Sequence, residues 1–460
     1  VKPPQERLQV LAERLALRKS ARPVYTGWMQ QNLTPEQALA LIFEHLASSS
    51  SPHSTEAVPL QEALGRVLAR DVASPLDLPS FDNSAMDGYA LRSVDLSEAS
   101  AKSPLALTCA QTIAAAPAST QERIPAGQCA RIMTGAPLPP GANAVVMRED
   151  VDESDAERIL FFAGAREGQS IRRRGEDIKR GEVAVAGGTK LRASEIALLA
   201  ACGMPSVEVS RRPRVAIIVT GDELVQPGQP LQPGQIYNSN AFALSALCQE
   251  SGAQVVRREQ ASDDPHQLAR LMLLCARECD VLLTSGGVSA GDFDPVRDVL
   301  LGAQGLPRIA QPHFWKAAIK PGKPILFASL QNSSAREEEE NLISVPIFAL
   351  PGNPVSVAVC FELFVRPALL WMQGARGGHR RSVVASVDCD GRSPENKTEF
   401  VRALVSRIEG SSNEWQAQVS GAQGSGRLTT MTRANALLVI GPDITRYHAG
   451  DKFEARLLDG

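Results

Sequence analysis

Val281-Leu282-Leu283-Thr284-Ser285-Gly286-Gly287-Val288-Ser289-Ala290-Gly291-Asp292-Phe293-Asp294 is the stretch on which the fold turns. Its first four residues read as a strand buried on both faces. They run into a glycine pair and then into small and acidic residues that a packed core does not need. A helix pattern over 295–301 follows. An open parallel sheet binds its ligand at such a place, beyond the carboxyl ends of its strands, where helix N-termini face anions. Leu350-Pro351-Gly352-Asn353-Pro354-Val355-Ser356 repeats the arrangement between a strand at 345–350 and a helix at 354–371. Thr220-Gly221-Asp222-Glu223-Leu224 closes another β-branched run, 215–219. A phosphorylated, metal-assisted substrate is the expectation.

Working outward, strands at 215–219, 254–257, 281–284, 324–328 and 345–350 alternate with helices at 240–250, 265–279, 295–301 and 354–371. That alternation predicts a doubly wound α/β domain over 210–375. Before it, Thr34-Pro35-Glu36-Gln37 is a helix start with threonine as N-cap, proline in the first turn and glutamine placed for a capping box. Residues 34–75 and 168–209 read as a discontinuous helical/β linker domain. Residues 76–167 read as a β-rich inserted domain of short strands and Pro/Gly turns. After 376, β-type runs separated by Gly, Ser and Asn predict a small β-barrel or sandwich. The fold class is therefore α/β and β, multidomain. Residues 1–33 form an extension whose leucines at 8, 11 and 15 suit a surface helix, an interaction arm or a targeting remnant. The acidic insertion 331–341 reads as a solvated loop.

Composition narrows the function. A formal net charge of −3 supplies no basic field, so nucleic acid is disfavoured. Eight cysteines without a CxxC fit reduced thiols in a cytoplasmic protein, and Cys275 and Cys279 read as thiols on a mostly buried helix. Six scattered histidines argue against a histidine-rich metal site. No apolar run is expected to reach the ~20 residues that span a bilayer; 196–204 is the longest candidate. GxxxxGK[ST] and a GxGxxG after the first strand are both absent, which disfavours a P-loop and a standard dinucleotide fold.

Asp222, Glu223, Asp292 and Asp294 fall at two strand ends of one sheet. Acids so placed can share a hard cation through oxygen ligands, or Asp222 and Asp294 can simply cap helices. Gly286 and Gly287 allow a backbone to approach a phosphate, or serve an ordinary turn. Lys320 and Lys323 flank Pro321-Gly322 and suit an oxyanion or a solvated turn. Arg172-Arg173-Arg174 with Glu176 and Asp177 is either a self-satisfied ion-pair network or an anion contact.

Together with Ser80–Tyr89 and Arg131–Gly141, these segments resemble the molybdopterin molybdenumtransferases, the molybdenum insertases of the MoeA and gephyrin E-domain type, over about 34–460. The resemblance implies that adenylylated molybdopterin binds the α/β domain. It is hydrolysed with a divalent cation, Mg²⁺ or another such as Zn²⁺, molybdate enters the dithiolene, and AMP and molybdenum cofactor leave. The functional acids it implies are Asp87, Asp177, Glu223, Asp264 and Asp294. Substrate contacts fall on Thr134, Ser285, Gly286, Gly287, Ser289, Lys316, Lys320, Lys323, Pro351, Gly352, Asn353, Pro354, Ser356, Arg402 and Ser425. A homodimer with sites built from both protomers is implied, with molybdopterin adenylyltransferase and molybdoenzyme apoproteins or chaperones as possible partners. Pro295 stands where the family usually has an aromatic residue. The rivals are a molybdopterin adenylyltransferase-like enzyme, which is normally the α/β domain alone, a non-catalytic gephyrin-like scaffold, and a generic sugar-phosphate or nucleotide binder.

Overall fold

The computed structural model describes residues 30–49, 54–116, 122–288, 294–302, 308–332, 343–378, 380–410 and 414–458. Most of the extension, most of the acidic insertion, Ser289 and Asp292 lie outside them. The chain divides into two compact units: one holds the described residues through Glu56, Gly65–Ala69 and Val209–Gly460, the other Ala57–Leu64 and Arg70–Glu208.

In the larger unit the elements are β1 (Gln30–Leu33), α1 (Pro35–Ser49), β2 (Arg214–Thr220), α2 (Asn240–Glu250), β3 (Gln254–Ala261), α3 (Pro265–Ala276), β4 (Val281–Ser285), α4 (Pro295–Leu301), β5 (Ala310–Ala317), β6 (Ile319–Lys320), β7 (Leu326–Asn332), β8 (Ile343–Leu350) and α5 (Pro354–Met372). One seven-stranded sheet runs β1-β5-β7-β8-β4-β2-β3. Its half around β8, β4, β2 and β3 is parallel, and β7 is antiparallel to both of its neighbours. The central parallel strands β2 and β4 are buried along nearly their whole length, as strands covered on both faces must be, while the edge strand β3 is buried only at Ala261. α1, α2 and α5 cover one face through Ala38, Ile42, Leu244, Val359 and Phe364; α3 and α4 cover the other through Leu268, Met272, Val296 and Leu300. This is the expected doubly wound core, enlarged by β1 and β5.

α5 corrects one expectation. Pro354–Met372 is 19 residues and, by length and composition alone, apolar enough to cross a membrane. Glu362 and Arg366 interrupt it in sequence, which hides the run. Its window is 72% buried in the protein, so it serves as a core helix, and a π-turn widens it at Phe361–Val365. All eight cysteines are free, and Cys275 and Cys279 are buried as expected.

The chain then closes a barrel. Strands β9 (Ser382–Val387), β10 (Thr398–Arg407), β11 (Trp415–Val419), β12 (Ala436–Ile440) and β13 (Lys452–Leu457) pair in the cycle β10-β11-β9-β13-β12-β10, with α6 (Leu428–Thr432) before β12. The alternative of a sandwich is thereby resolved. Ala385, Val401, Ala403, Ala417, Leu438 and Ala455 fill its interior. β6 adds to this barrel as a parallel neighbour of β10. Phe400 and Leu437, on two barrel strands, are buried in the core of the α/β sheet instead.

The smaller unit is built on a six-stranded sheet ordered Ala144–Met147, Gly88–Leu91, Gln128–Ile132, Leu105–Ile113, Arg158–Phe161, Val151–Asp152. Alternation along its strands sends Tyr89 and Leu91 into one cluster and Ala90 into another. Both faces are thus covered, consistent with the β-rich reading of this stretch.

Candidate functional site

Three parallel strands end side by side. β2 leaves the sheet through Gly221, whose φ of +143° places the backbone where an added Cβ would lie 2.6 Å from the Glu223 carboxylate. β4 leaves through Gly286 at φ +99°, where a Cβ would meet Thr220 Oγ1 at 2.7 Å and the Thr220 carbonyl at 2.8 Å. Glycine at both positions is a steric requirement. β8 leaves through Pro351 and Gly352 into α5, which opens with Pro354 in its first turn. Gly286 N–H donates to the Leu350 carbonyl, so two of these exits share a hydrogen bond.

These exits frame a cleft of about 600 Å³, within the range of small-ligand sites. Gly286, Gly287, Gly352, Asn353 and Pro354 line it, with Asn240 at the start of α2. Among the described residues, the charged side chains on its wall are Glu223, Asp263 and Asp294, and no lysine or arginine lines it. Gly426, from the barrel, completes the wall.

The acids differ in their surroundings. Asp294 is buried at the N-cap position of α4 without a side-chain cap hydrogen bond, and Arg297 Nη1 stands 3.7 Å from its carboxylate. Asp264 does cap: its Oδ1 accepts from the His266 and Gln267 N–H groups at 2.8 and 3.3 Å, and its Oδ2 from Gln267 Nε2. Those donors hold its carboxyl below the ordinary range. The neighbouring Asp263, which the sequence reading passed over, is the acid on the cleft wall. Burial, then the carboxylates of Asp222 and Glu223, push its carboxyl up. Asp222 is exposed and its Oδ1 accepts from the Asp263 N–H at 3.4 Å.

The other expected contacts take these places. Ser285 is buried on the cleft floor, its hydroxyl donating to the Pro351 carbonyl. Ser356 is buried in the first turn of α5. Lys316 has φ +69° and lays its Nζ 3.8 Å from the Trp315 ring centroid. Lys320 pairs with Glu399 of the barrel at 2.9 Å, and Lys323 is exposed on the following turn. None of the three lysines lines the cleft. Arg402 is 1% exposed, with Nε donating to Thr430 Oγ1 and Nη2 to the Gly424 carbonyl. Ser425 accepts, through its carbonyl, the Val355 N–H from the first turn of α5. Asn240 was not expected; its only sequence signal is its position at a helix start after a strand–loop.

In the smaller unit, Asp87 precedes strand Gly88–Leu91, and its Oδ1 accepts from both Thr134 Oγ1 (2.6 Å) and Thr134 N–H (2.7 Å). These bonds hold its carboxyl below the ordinary range. Asp177 is exposed. The adjoining arginines resolve into ion pairs: Arg173 with Asp82, Arg174 with Asp77. Both partners lie outside the Arg172–Asp177 turn, so these two side chains are met by Asp82 and Asp77 rather than by Glu176 or Asp177.

Comparison with known proteins agrees along the chain. Residues 33–203 match the model of the MoeA N-terminal region (domain I and II), 216–371 that of a probable molybdopterin binding domain, and 385–458 that of the MoeA C-terminal region (domain IV). The chain is 38% identical over 397 residues to molybdopterin molybdenumtransferase 2 of Mycobacterium tuberculosis, covering 86% of this chain and 93% of the relative. It is 34% identical over 423 residues to the molybdopterin molybdenumtransferase of Haemophilus influenzae, covering 91% and 97%. The crystal structure of the molybdopterin biosynthesis moeA protein from Pyrococcus horikoshii OT3 superposes with a TM-score of 0.75 at 30% identity, covering 93% of this chain and all of that one.

Proposed function

The chain belongs to the molybdopterin molybdenumtransferase family, a transferase family of molybdenum cofactor biosynthesis, and on that premise we propose that it hydrolyses adenylylated molybdopterin and inserts molybdate into the dithiolene, releasing AMP and molybdenum cofactor. The observation that carries this reading is the cleft: three glycine-rich or proline-rich strand exits around a space of about 600 Å³, lined among the described residues by three carboxylates and no lysine or arginine.

The floor suits a phosphate. The cleft is lined by Gly287, Gly352 and Asn353 and lies at the N-termini of α2 and α5, the positive ends of their peptide dipoles; the Gly286 N–H is taken by the Leu350 carbonyl. The wall has the opposite sign. Asp294 already has Arg297 3.7 Å away, so Glu223 and Asp263 are the part of the wall beside which a phosphoanhydride gains from positive charge arriving with the substrate. The donor set suits a hard cation of the Mg²⁺ type rather than Zn²⁺, which prefers nitrogen and sulfur. Among the described residues no three His, Cys, Asp or Glu side chains converge as a ready cage. That also fits Mg²⁺, which is held by one or two carboxylates plus substrate phosphate oxygens. Glu223 and Asp294 are the residues that would hold it, and it would neutralise charge on the phosphoryl oxygens.

The chain's own residues orient the attack. The glycine exits fix the phosphoryl group, and the carboxylate wall positions a water and takes its proton as the phosphorus–oxygen bond to the leaving group breaks. Of the two turn lysines, Lys323 is exposed and outside the cleft lining while Lys320 is held by Glu399; Lys323 is the one proposed to meet molybdate. Lys323→Ala should raise the molybdate concentration for half-maximal insertion on the order of tenfold to a hundredfold, one charge-assisted contact. If only pterin affinity falls, that lysine holds the pterin phosphate instead. The decisive experiment is mass spectrometry of protein saturated with adenylylated molybdopterin, followed by molybdate addition. Bound ligand converted to AMP and molybdenum cofactor is expected; an empty site under saturating ligand sinks the proposal.

A further inference from the structure

Asn240 opens α2 and is 9% exposed. Its Nδ2 donates twice: to Ser285 Oγ at 2.9 Å and to the Gly352 carbonyl at 2.7 Å. The Ser285 hydroxyl passes its own proton on to the Pro351 carbonyl at 3.0 Å. Both carbonyls can only accept, so the direction of the chain is set: Asn240 gives to Ser285, and Ser285 gives to Pro351. One side chain therefore joins three elements that converge on the cleft: the start of α2, the end of β4 and the exit of β8. The two exits it joins are in contact, since a Cβ on Gly352 would lie 3.7 Å from Gly286 Cα.

The other end of the same amide shows what Asn240 is for. Its Oδ1 is buried and has no hydrogen-bond partner. A buried acceptor left unmatched is a standing cost. Leucine of similar size would avoid that cost. Aspartate would set a carboxylate against the Gly352 carbonyl. An amide supplies both donations without bringing a charge, and it does so at a position where the acceptor is sacrificed.

We propose that Asn240 is a positioning residue of the cleft. It clamps the Gly286-Gly287 loop to the Pro351-Gly352 loop and so sets the spacing of the backbone groups that receive the substrate's phosphate. This deepens the reading of the cleft as the adenylylated-molybdopterin site and rests on it. The clamp predicts coupling: Ser285 matters to the floor through Asn240, so once Asn240 is removed, removing Ser285 as well should have little further effect.

The test uses the full chain, with AMP and Mg²⁺ as the probe. Asn240→Leu is expected to weaken AMP binding on the order of tenfold to a hundredfold, measured by calorimetry on folded protein. Ser285→Ala should weaken it less, and the double variant no more than Asn240→Leu alone. In ligand-free protein, hydrogen exchange of the 286–287 and 352–353 amides should quicken in Asn240→Leu, while amides in the middle of β2 and β4 stay protected. A purely structural residue would lower the melting temperature and leave affinity per folded molecule and loop exchange unchanged. That result overturns the clamp, as would additive losses in the double variant. If wild-type protein binds neither AMP nor adenylylated molybdopterin, the functional reading fails, and the exchange measurement alone decides whether Asn240 holds the two loops. Asn240→Ala gives the same comparison if the leucine variant does not fold.

Discussion

Asp87 in the smaller unit and Asp263 in the larger are both exposed carboxylates beside a strand end, and their environments push them in opposite directions. Asp87 receives two hydrogen bonds from one residue, Thr134, and is held ionised. Asp263 is partly desolvated beside Asp222 and Glu223, and its carboxyl rises. The first anion is satisfied by the protein itself. The second stands beside two other carboxylates, with no lysine or arginine among the described residues that line the cleft. A site that has to accept a phosphate and a divalent cation together has reason to leave the cation's countercharge unmet in the empty state.

The comparison is broken most directly by removing an acid from the crowded side. Glu223→Ala and Asp294→Ala should each cut AMP release by on the order of a thousandfold, with the far-ultraviolet circular dichroism unchanged. Turnover at the wild-type rate under limiting Mg²⁺ would remove these residues from the site. A second experiment asks whether the two kinds of acid serve one site. Inactive Asp87→Ala protein mixed with inactive Asp294→Ala protein should regain roughly a quarter of wild-type activity after subunit exchange, if a homodimer draws each site from both protomers. No recovery would assign each site to one chain.

Smaller effects sharpen the contrast. Thr134→Val removes the hydroxyl donor and keeps the N–H. The Asp87 carboxyl then rises toward its ordinary value, and the acid limb of the kcat/KM profile moves to higher pH. The linkage follows the same sign: a lowered carboxyl contributes stability present above its unfolded pKa and lost as pH falls through the folded one, so the variant should lose that contribution. An unmoved acid limb would show that Asp87 does not titrate in the reaction. Asp263 has the reverse sign. A raised carboxyl contributes stability present below its unfolded pKa and lost as pH rises through the folded one. Asp263→Asn should therefore raise the melting temperature at pH 7 by about 1–3 °C without Mg²⁺, with the gain fading near pH 3. A destabilised variant at pH 7 would mean that the acids are not in repulsion.

Much of the α/β half was legible because glycine at a strand exit and a β-branched run leave little conformational choice. β2, β4, β8 and the helices at Asn240, Pro265, Pro295 and Pro354 follow from such signals. β5 did not: Ala-Gln-Pro-His-Phe-Trp-Lys-Ala carries a proline, and Pro312 sits where the register shifts, beyond the residues that pair with β1. β1 reads Gln-Gln-Asn-Leu, a polar edge strand with three exposed residues and no hydrophobic alternation. At the site, Asp263 and Asp264 are chemically identical neighbours, and only the fold decides that one caps α3 while the other faces the cleft. Asn240 was illegible for another reason. Its value lies in two bonds to residues 45 and 112 positions away, which no local pattern encodes.

The short strand β6 has a consequence for how this chain comes apart. It belongs by sequence to the α/β sheet and by pairing to the barrel, while Phe400 and Leu437 return from the barrel into the α/β core. The C-terminal barrel is therefore no detachable cassette. Ending the chain before it would strip a partner from β6 and remove Phe400 and Leu437 from the α/β core, so the truncated protein should be a target for proteases rather than a minimal enzyme. Heat should unmake the barrel and the sheet in one cooperative step, as a single foldon.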